Sequence, residues 1–356
     1  MRIATVVLVV VLLMSSSLAV AGEPPPATPP TSPATLPATA AAATQPTYHR
    51  PLGIAMEEWP YPFTVSLMQM EIQGERVRMA YMDVPPTAGA NGRAVLLLHG
   101  KNFFGGYWEN TIRALAAAGY RVVVPDQIGF GKSSKPDIHY SFDLLAANTA
   151  MLLDQLKVEK VAVVGHSMGG MLAVRFVRNY PDRATHLVLE NPIGLEDYRM
   201  KVPPRTFEQA YADELSKTTE QLRAYLKTYF PEWSPAYEPY VEVPARIALS
   251  GEYPRYAKAA ALTYFMIYQQ PVRHEFALIR PPTLLVIGQE DRTTLGRGQV
   301  PPDVLKTLGN YPELGKSAAK DIPHAKLVEL PNIGHIPHLE SPEAFHKALI
   351  DFLGAE

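Results

Sequence analysis

From Val65 to Val84, apolar and polar residues alternate in two segments on either side of Gln73-Gly74-Glu75, a period of two that predicts an antiparallel hairpin. Beyond it come short runs in which every residue is apolar: Val95 to Leu98, Val122 to Val124, Val161 to Val164, Leu187 to Leu189 and Leu284 to Ile287. Runs without alternation fit strands buried on both faces, as in a parallel sheet covered by helices. Helical patterns separate them. The clearest has Ser141 as N-cap and Phe142, Leu145, Leu152, Leu153 and Leu156 near one face. The expected fold class is therefore α/β, a mostly parallel central sheet with helices on both faces.

The alternation lapses between 195 and 270, where Tyr, Ala, Leu and Pro predominate and the stretches Thr218 to Tyr229 and Tyr256 to Tyr268 have helical character. This is too long for an ordinary connection, and it predicts an inserted helical cap over one edge of the sheet. Its aromatics could line a pocket, although packing of the cap onto the core explains Tyr264, Phe265 and Tyr268 equally well. At the other end, Arg2 precedes an apolar run from Ile3 to Met14, and Ala19-Val20-Ala21 supplies small residues at cleavage spacing. A run shorter than the ~20 residues of a spanning helix, followed by such a site, predicts a signal peptide over 1–21 and export to periplasm or medium. Residues 22–50 then read as an extended Pro/Ala/Thr-rich tether. The α/β core is expected over 51–194 and 271–356, with the cap at 195–270 between them.

Composition narrows the chemistry. The 356 residues carry a formal net charge of -2 and no long single-sign run, so neither nucleic acid nor an anionic membrane is an expected partner. Zero cysteines exclude disulfides, thiolate metal sites and a cysteine nucleophile. A small-molecule substrate is expected, no cofactor or metal is called for, and oligomeric state is left open.

The decisive segment is Val161-Ala162-Val163-Val164-Gly165-His166-Ser167-Met168-Gly169-Gly170, an apolar strand running into Gly-x-Ser-x-Gly and then a helix. A nucleophile on so sharp a turn needs residues without side chains two before and two after it, and Gly165 and Gly169 meet that demand. The turn also aims the first helical amides, including that of Met168, at an oxyanion. A serine hydroxyl needs a base. Among ten histidines the best placed is His335 in Gly334-His335-Ile336-Pro337-His338, on a loop between an apolar stretch and a helix. His338 reads as structural, its spacing from His335 resembling a metal pair that no carboxylate cluster completes and that Pro337 keeps off a regular helix. His166 should point away from the nucleophile, and His99 should brace the oxyanion loop. Asp291, just past the strand Thr283 to Gly288, is the expected acid, with Glu290 and Glu190 as alternatives or as solvated or capping carboxylates. The second oxyanion donor should be the amide of Lys101 or Asn102. Gly129-Phe130-Gly131-Lys132-Ser133 lacks the upstream glycine of a phosphate loop, since Asp126 stands there, and predicts a structural turn.

Together, His99-Gly100, Pro125-Asp126, Gly129-x-Gly131-x-Ser133, Gly165-His166-Ser167-Met168-Gly169, Gly288-x-x-Asp291 and Gly334-His335 resemble the signature series of α/β-hydrolases, a similarity extending from about Val65 to the C-terminus. The resemblance implies the chain order Ser, Asp, His. A serine at the elbow is similar to esterases and carbon-carbon bond hydrolases, and unlike the dehalogenases and epoxide hydrolases, which carry aspartate there. The oxyanion segment Lys101-Asn102-Phe103-Phe104-Gly105-Gly106 departs from the tight Gly/Pro-rich loop common in the family. The expected activity is hydrolysis of a small or medium carboxylic ester through an acyl-enzyme on Ser167. Amide, lactone or carbon-carbon hydrolysis with the same triad is the near alternative. A lyase on a cyanohydrin-like substrate and a non-catalytic binding protein are the more distant ones.

Overall fold

A computed structural model describes residues 45–355; the predicted signal peptide and most of the tether lie outside them. Contacts divide the chain after Pro46, and everything from Thr47 on forms one unit. Tyr48, within the predicted tether, already packs against that unit and donates to Glu238 at 2.6 Å.

Among the described residues eight strands form one sheet: β1 (Val65–Ile72), β2 (Glu75–Val84), β3 (Ala94–Leu98), β4 (Arg121–Pro125), β5 (Val161–His166), β6 (Ala184–Glu190), β7 (Thr283–Gly288) and β8 (Ala325–Leu330). Their order across the sheet is β1-β2-β4-β3-β5-β6-β7-β8. β1 and β2 are the predicted hairpin, turning at Gln73-Gly74, and β2 meets β4 antiparallel; all later pairings are parallel. Parity divides the side chains between two cores. Leu96, Leu98, Val163, Leu187, Leu189, Leu285 and Ile287 point to one face, and Val95, Leu97, Ala162, Val164, Val188, Leu284 and Val286 to the other. Both are covered by helices, so every run predicted without alternation is buried on both sides.

The helices are α1 (Glu109–Ala117), α2 (Phe142–Gln155), α3 (Met168–Asn179), α4 (Phe207–Leu215), α5 (Thr219–Lys227), α6 (Pro239–Ile247), α7 (Tyr253–Gln269), α8 (Pro302–Leu305), α9 (Tyr311–Asp321), α10 (Pro337–Glu340) and α11 (Pro342–Gly354). α2 and α3 cover the first core and α1 and α11 the second. Ser141 caps α2 as expected, its hydroxyl accepting from the Leu144 amide at 3.0 Å. Between β6 and β7, where the sheet alternation lapses, lie α4 to α7; α4 packs on α7 and α5 on α6. Thr206 and Thr218 start α4 and α5 with reciprocal capping boxes to Gln209 and Gln221. Among the described residues no helix is long and apolar enough to cross a membrane.

Gly129 to Ser133 is a structural turn, as the sequence predicts. Asp126, at the end of β4, accepts from the amides of Gly105 at 2.6 Å and Lys132 at 2.7 Å and from the Tyr61 hydroxyl at 2.6 Å. It thus ties that turn to the loop after β3.

Candidate active site

Strand β5 ends at His166, α3 begins at Met168, and Ser167 between them has φ 55° and ψ -120°. This is a conformation a side-chain-bearing residue holds only when its surroundings impose it. Here they do. A Cβ on Gly165 would lie 2.2 Å from the Gly169 carbonyl oxygen, and one on Gly169 would lie 2.1 Å from that of Leu98. The Ser167 amide donates to the Glu190 carbonyl at 3.2 Å, its carbonyl accepts from Gly170 at 2.9 Å and Ile193 at 3.2 Å, and only 6% of the residue is exposed.

The three residues singled out from sequence meet here, from three different strand ends. His335 Nε2 lies 3.0 Å from Ser167 Oγ, and His335 Nδ1 lies 2.7 Å from Asp291 Oδ2. A carboxylate only accepts, so Nδ1 carries the proton and Nε2 is left with a lone pair facing the serine hydroxyl. Asp291 Oδ1 accepts from the Thr293 amide at 2.7 Å, and Oδ2 also accepts from Asn191 Nδ2 at 2.7 Å. Asn191 in turn accepts from the Gly288 amide at 2.9 Å and stands at φ 36°. Its side chain therefore fixes both the acid and the backbone turn leading to it. Sequence reasoning passed over Asn191; its only signal was a second polar residue, next to Glu190, after the apolar run Leu187 to Leu189.

The loop carrying His335 is held from two sides. The His335 amide donates to the Tyr229 carbonyl at 2.7 Å, and the Tyr229 ring packs against the imidazole with centroids 4.6 Å apart. Glu340 accepts from the amides of Gly334 and Ile336, both at 2.9 Å, a clamp the sequence reading also missed. Burial pushes the Glu340 carboxyl up to about 7, against the lowering effect of those two amides.

The other histidines fall into place by proton counting. His166 is fully buried, and desolvation, followed by the neighbouring His335 and His338, holds its pKa well below the ordinary value. Neutral, it must donate from Nε2 to the His335 carbonyl at 2.9 Å and accept at Nδ1 from the Tyr107 hydroxyl at 2.9 Å. Tyr107 oxygen accepts the Gly100 amide at 3.1 Å. His99 accepts the Gln127 amide at Nε2, 3.0 Å away, and donates from Nδ1 to the Gly100 carbonyl at 2.9 Å, bracing the loop as expected. The Gly100 and Phe103 amides are thereby occupied, the latter by the Gly100 carbonyl at 3.2 Å. The amides of Lys101 and Asn102 make no hydrogen bond among the described residues, and the Met168 amide is the first of α3, without an intrahelical acceptor. The loop lies directly on the elbow, since a Cβ on Gly100 would be 3.1 Å from Ser167 Cβ.

The side chains of that loop reach away, into the segment between β6 and β7. Lys101 Nζ donates to the Ala260 carbonyl at 3.0 Å and Asn102 Nδ2 to the Tyr229 hydroxyl at 2.8 Å. Desolvation lowers the Lys101 amine to about 8, partly offset by Glu214. Two surface hollows, of about 470 Å³ beside α7 and about 290 Å³ beside Tyr61 and Tyr240, are lined by none of Ser167, His335 and Asp291. The hydrogen-bonded set at the strand ends, not hollow size, marks the site.

The remaining candidates from the sequence are placed as follows. Glu190 is neither the acid nor solvated: it is fully buried and bonded to the His338 side chain, and it caps the first turn of α10 by accepting the His338 amide at 2.7 Å, while Glu290 is exposed. Pro337 keeps His335 and His338 off one regular helix, as expected, because α10 starts at this proline and leaves His335 outside. Pro337 occupies the first position of α10, where its missing N–H costs no hydrogen bond.

A family model for the alpha/beta hydrolase fold matches residues 93–342. A probable hydrolytic enzyme from Pseudomonas aeruginosa has a solved structure that superposes with a TM-score of 0.84 at 45% identity, covering 85% of this chain and 98% of that one. Among curated proteins, a 2-hydroxy-6-oxo-6-phenylhexa-2,4-dienoate hydrolase from Burkholderia cepacia is 29% identical over 74% of this chain and 88% of its own length. A 2-hydroxy-6-oxononadienedioate/2-hydroxy-6-oxononatrienedioate hydrolase from Comamonas testosteroni gives the same identity and coverage. With the sheet order, the elbow and this match over most of its length, the chain belongs to the α/β-hydrolase fold family.

Proposed function

We propose that this protein is a serine hydrolase that cleaves a small or medium carboxylic ester through an acyl-enzyme on Ser167. The observation carrying this reading is the unbroken hydrogen-bonded line from Ser167 Oγ through His335 to Asp291, buried and anchored at each end. His335 Nε2 takes the hydroxyl proton as Oγ bonds to the carbonyl carbon, and Asp291 stabilises the resulting imidazolium. The Met168 amide, with that of Lys101 or Asn102, receives the oxyanion. The tetrahedral intermediate collapses by expelling the alcohol, which takes the proton from His335. Water, deprotonated by the same imidazole, then releases the acid and regenerates Ser167. Helices α4 to α7 serve as a cap, a role supported by Tyr229 on His335 and Ala260 over Lys101.

A second reading, cleavage of a carbon-carbon bond beside a ketone, is favoured by the two dienoate hydrolases at 29% identity. A panel of p-nitrophenyl esters set against a 2-hydroxy-6-oxo-dienoate separates the two. Ester turnover lost in Ser167→Ala supports the first reading; dienoate turnover alone sinks it. The pattern at Arg2, Ile3 to Met14 and Ala19 to Ala21 supports export, and N-terminal sequencing of the mature protein checks it against an intact Met1.

A further inference from the structure

Behind the triad lies a second buried carboxylate–imidazole pair that the reaction does not use. Glu190, the last residue of β6, and His338, in α10, are both fully buried. His338 Nδ1 lies 2.9 and 3.0 Å from the two Glu190 carboxylate oxygens, and the His338 amide donates to Oε1 at 2.7 Å. The imidazole is stacked on Trp108 with centroids 4.1 Å apart and meets the edge of Tyr107 at 4.6 Å. Its Nε2 has no hydrogen-bond partner among the described residues. Burying a carboxylate in such a slot is costly unless its hydrogen bonds are supplied, and here those to its oxygens come from one residue of the His335 loop.

The placement of this pair gives it a purpose. Glu190 sits on the strand beside the nucleophile's, and its carbonyl accepts the Ser167 amide. The next residue, Asn191, holds Asp291, and the Glu190 carboxylate grips the residue three beyond His335. The dipeptide Glu190-Asn191 thus reaches all three segments of the triad. A packing role needs only a ring-sized apolar group between Trp108 and Tyr107. Directed hydrogen bonds from the amide and Nδ1 of one residue fix the direction in which the Gly334 to Glu340 turn enters the core.

We propose that Glu190 and His338 form a positioning dyad that holds the His335 loop in register with the Ser167 elbow through the two N–H groups of His338, not through the volume of its ring. This rests on the reading of Ser167 as nucleophile and His335 as its base.

The test compares His338→Asn, whose side-chain amide can donate from about the place of Nδ1, with His338→Leu and with Glu190→Met, which keeps the side chain's length but removes both acceptor oxygens. Two quantities are measured for each: the rate at which a fluorophosphonate labels Ser167, and the low-field proton NMR signal of the His335–Asp291 hydrogen bond. His338→Asn should label within about 3-fold of the parent, and the other two roughly 30-fold or more slower, as expected for a displacement approaching 1 Å. The NMR signal should survive only in the parent and His338→Asn. Should His338→Leu label as fast as His338→Asn with its signal unchanged, the ring's volume is what matters and the dyad is refuted. If His338→Leu fails to fold, Glu190→Met, which preserves size, decides by the same criteria. A folded parent that is never labelled refutes the hydrolytic reading instead, and the NMR comparison alone then decides the dyad.

Discussion

Replacing Asn191 by glycine isolates one side chain's contribution to the site. Asn191 stands at φ 36°, where glycine is unstrained and alanine is not, so Asn191→Gly leaves the backbone at ease and deletes only the carboxamide. Two buried hydrogen bonds go with it, to Asp291 Oδ2 and from the Gly288 amide, at 2.7 and 2.9 Å. Each is worth about 1 kcal/mol net, and a buried amide left without a partner costs about 1 to 3 kcal/mol. The loss should therefore be about 2 to 4 kcal/mol, or roughly 3 to 6 °C in Tm for a chain of this size. Asp291 keeps the Thr293 amide and the His335 imidazole, so the acid stays but swings. A shift of a few tenths of an ångström should lower kcat/KM by roughly 10-fold, short of the ~100-fold of a 1 Å error. Differential scanning calorimetry and the pH-dependent labelling rate of Ser167 read the two effects. A lowered Tm with an unchanged labelling rate would refute the claim that Asn191 orients the acid.

Three other outcomes follow from the same geometry. Gly165→Ala places a Cβ 2.2 Å from the Gly169 carbonyl oxygen, so the elbow must open by about 1 Å and labelling should slow about 100-fold; parental kinetics would show that the turn does not hold the hydroxyl. Glu340 is an acid whose pKa is raised from the ordinary 4.5 to about 7 by burial, so the folded state binds its proton more tightly. Its contribution is complete below pH 4.5 and lost as pH rises through 7; Glu340→Gln should flatten the fall in Tm between pH 5 and 8, and parallel profiles for the two proteins would refute this. Asp291→Asn removes the acceptor that sets the His335 tautomer and should cut kcat about 10⁴-fold, the cost known for the equivalent change in another serine hydrolase, with little change in KM; a loss confined to KM contradicts the assignment.

Much of this was legible from residue order. Non-alternating apolar runs marked the parallel strands because both sheet faces are covered, and the glycines around Ser167 marked the elbow because backbone approaches them too closely for a Cβ. The charged and polar supports were not legible, because they depend on which strand ends become neighbours. Glu190 looked like a spare carboxylate until β6 was set beside β5 and α10 was folded onto its end. Asn191 and Tyr229 touch the site across 100 and 106 residues of chain, and nothing local announces them; Glu340 is only six residues from Gly334, but its clamp depends on how the turn between them folds back.

The central claim is that Ser167 is a nucleophile activated by His335. Fluorophosphonate treatment of the folded protein, followed by mass spectrometry with peptide mapping, should give one adduct on Ser167 in the parent, none in Ser167→Ala and strongly slowed labelling in His335→Ala. An adduct at another residue, or a folded parent that takes up no probe, would contradict it.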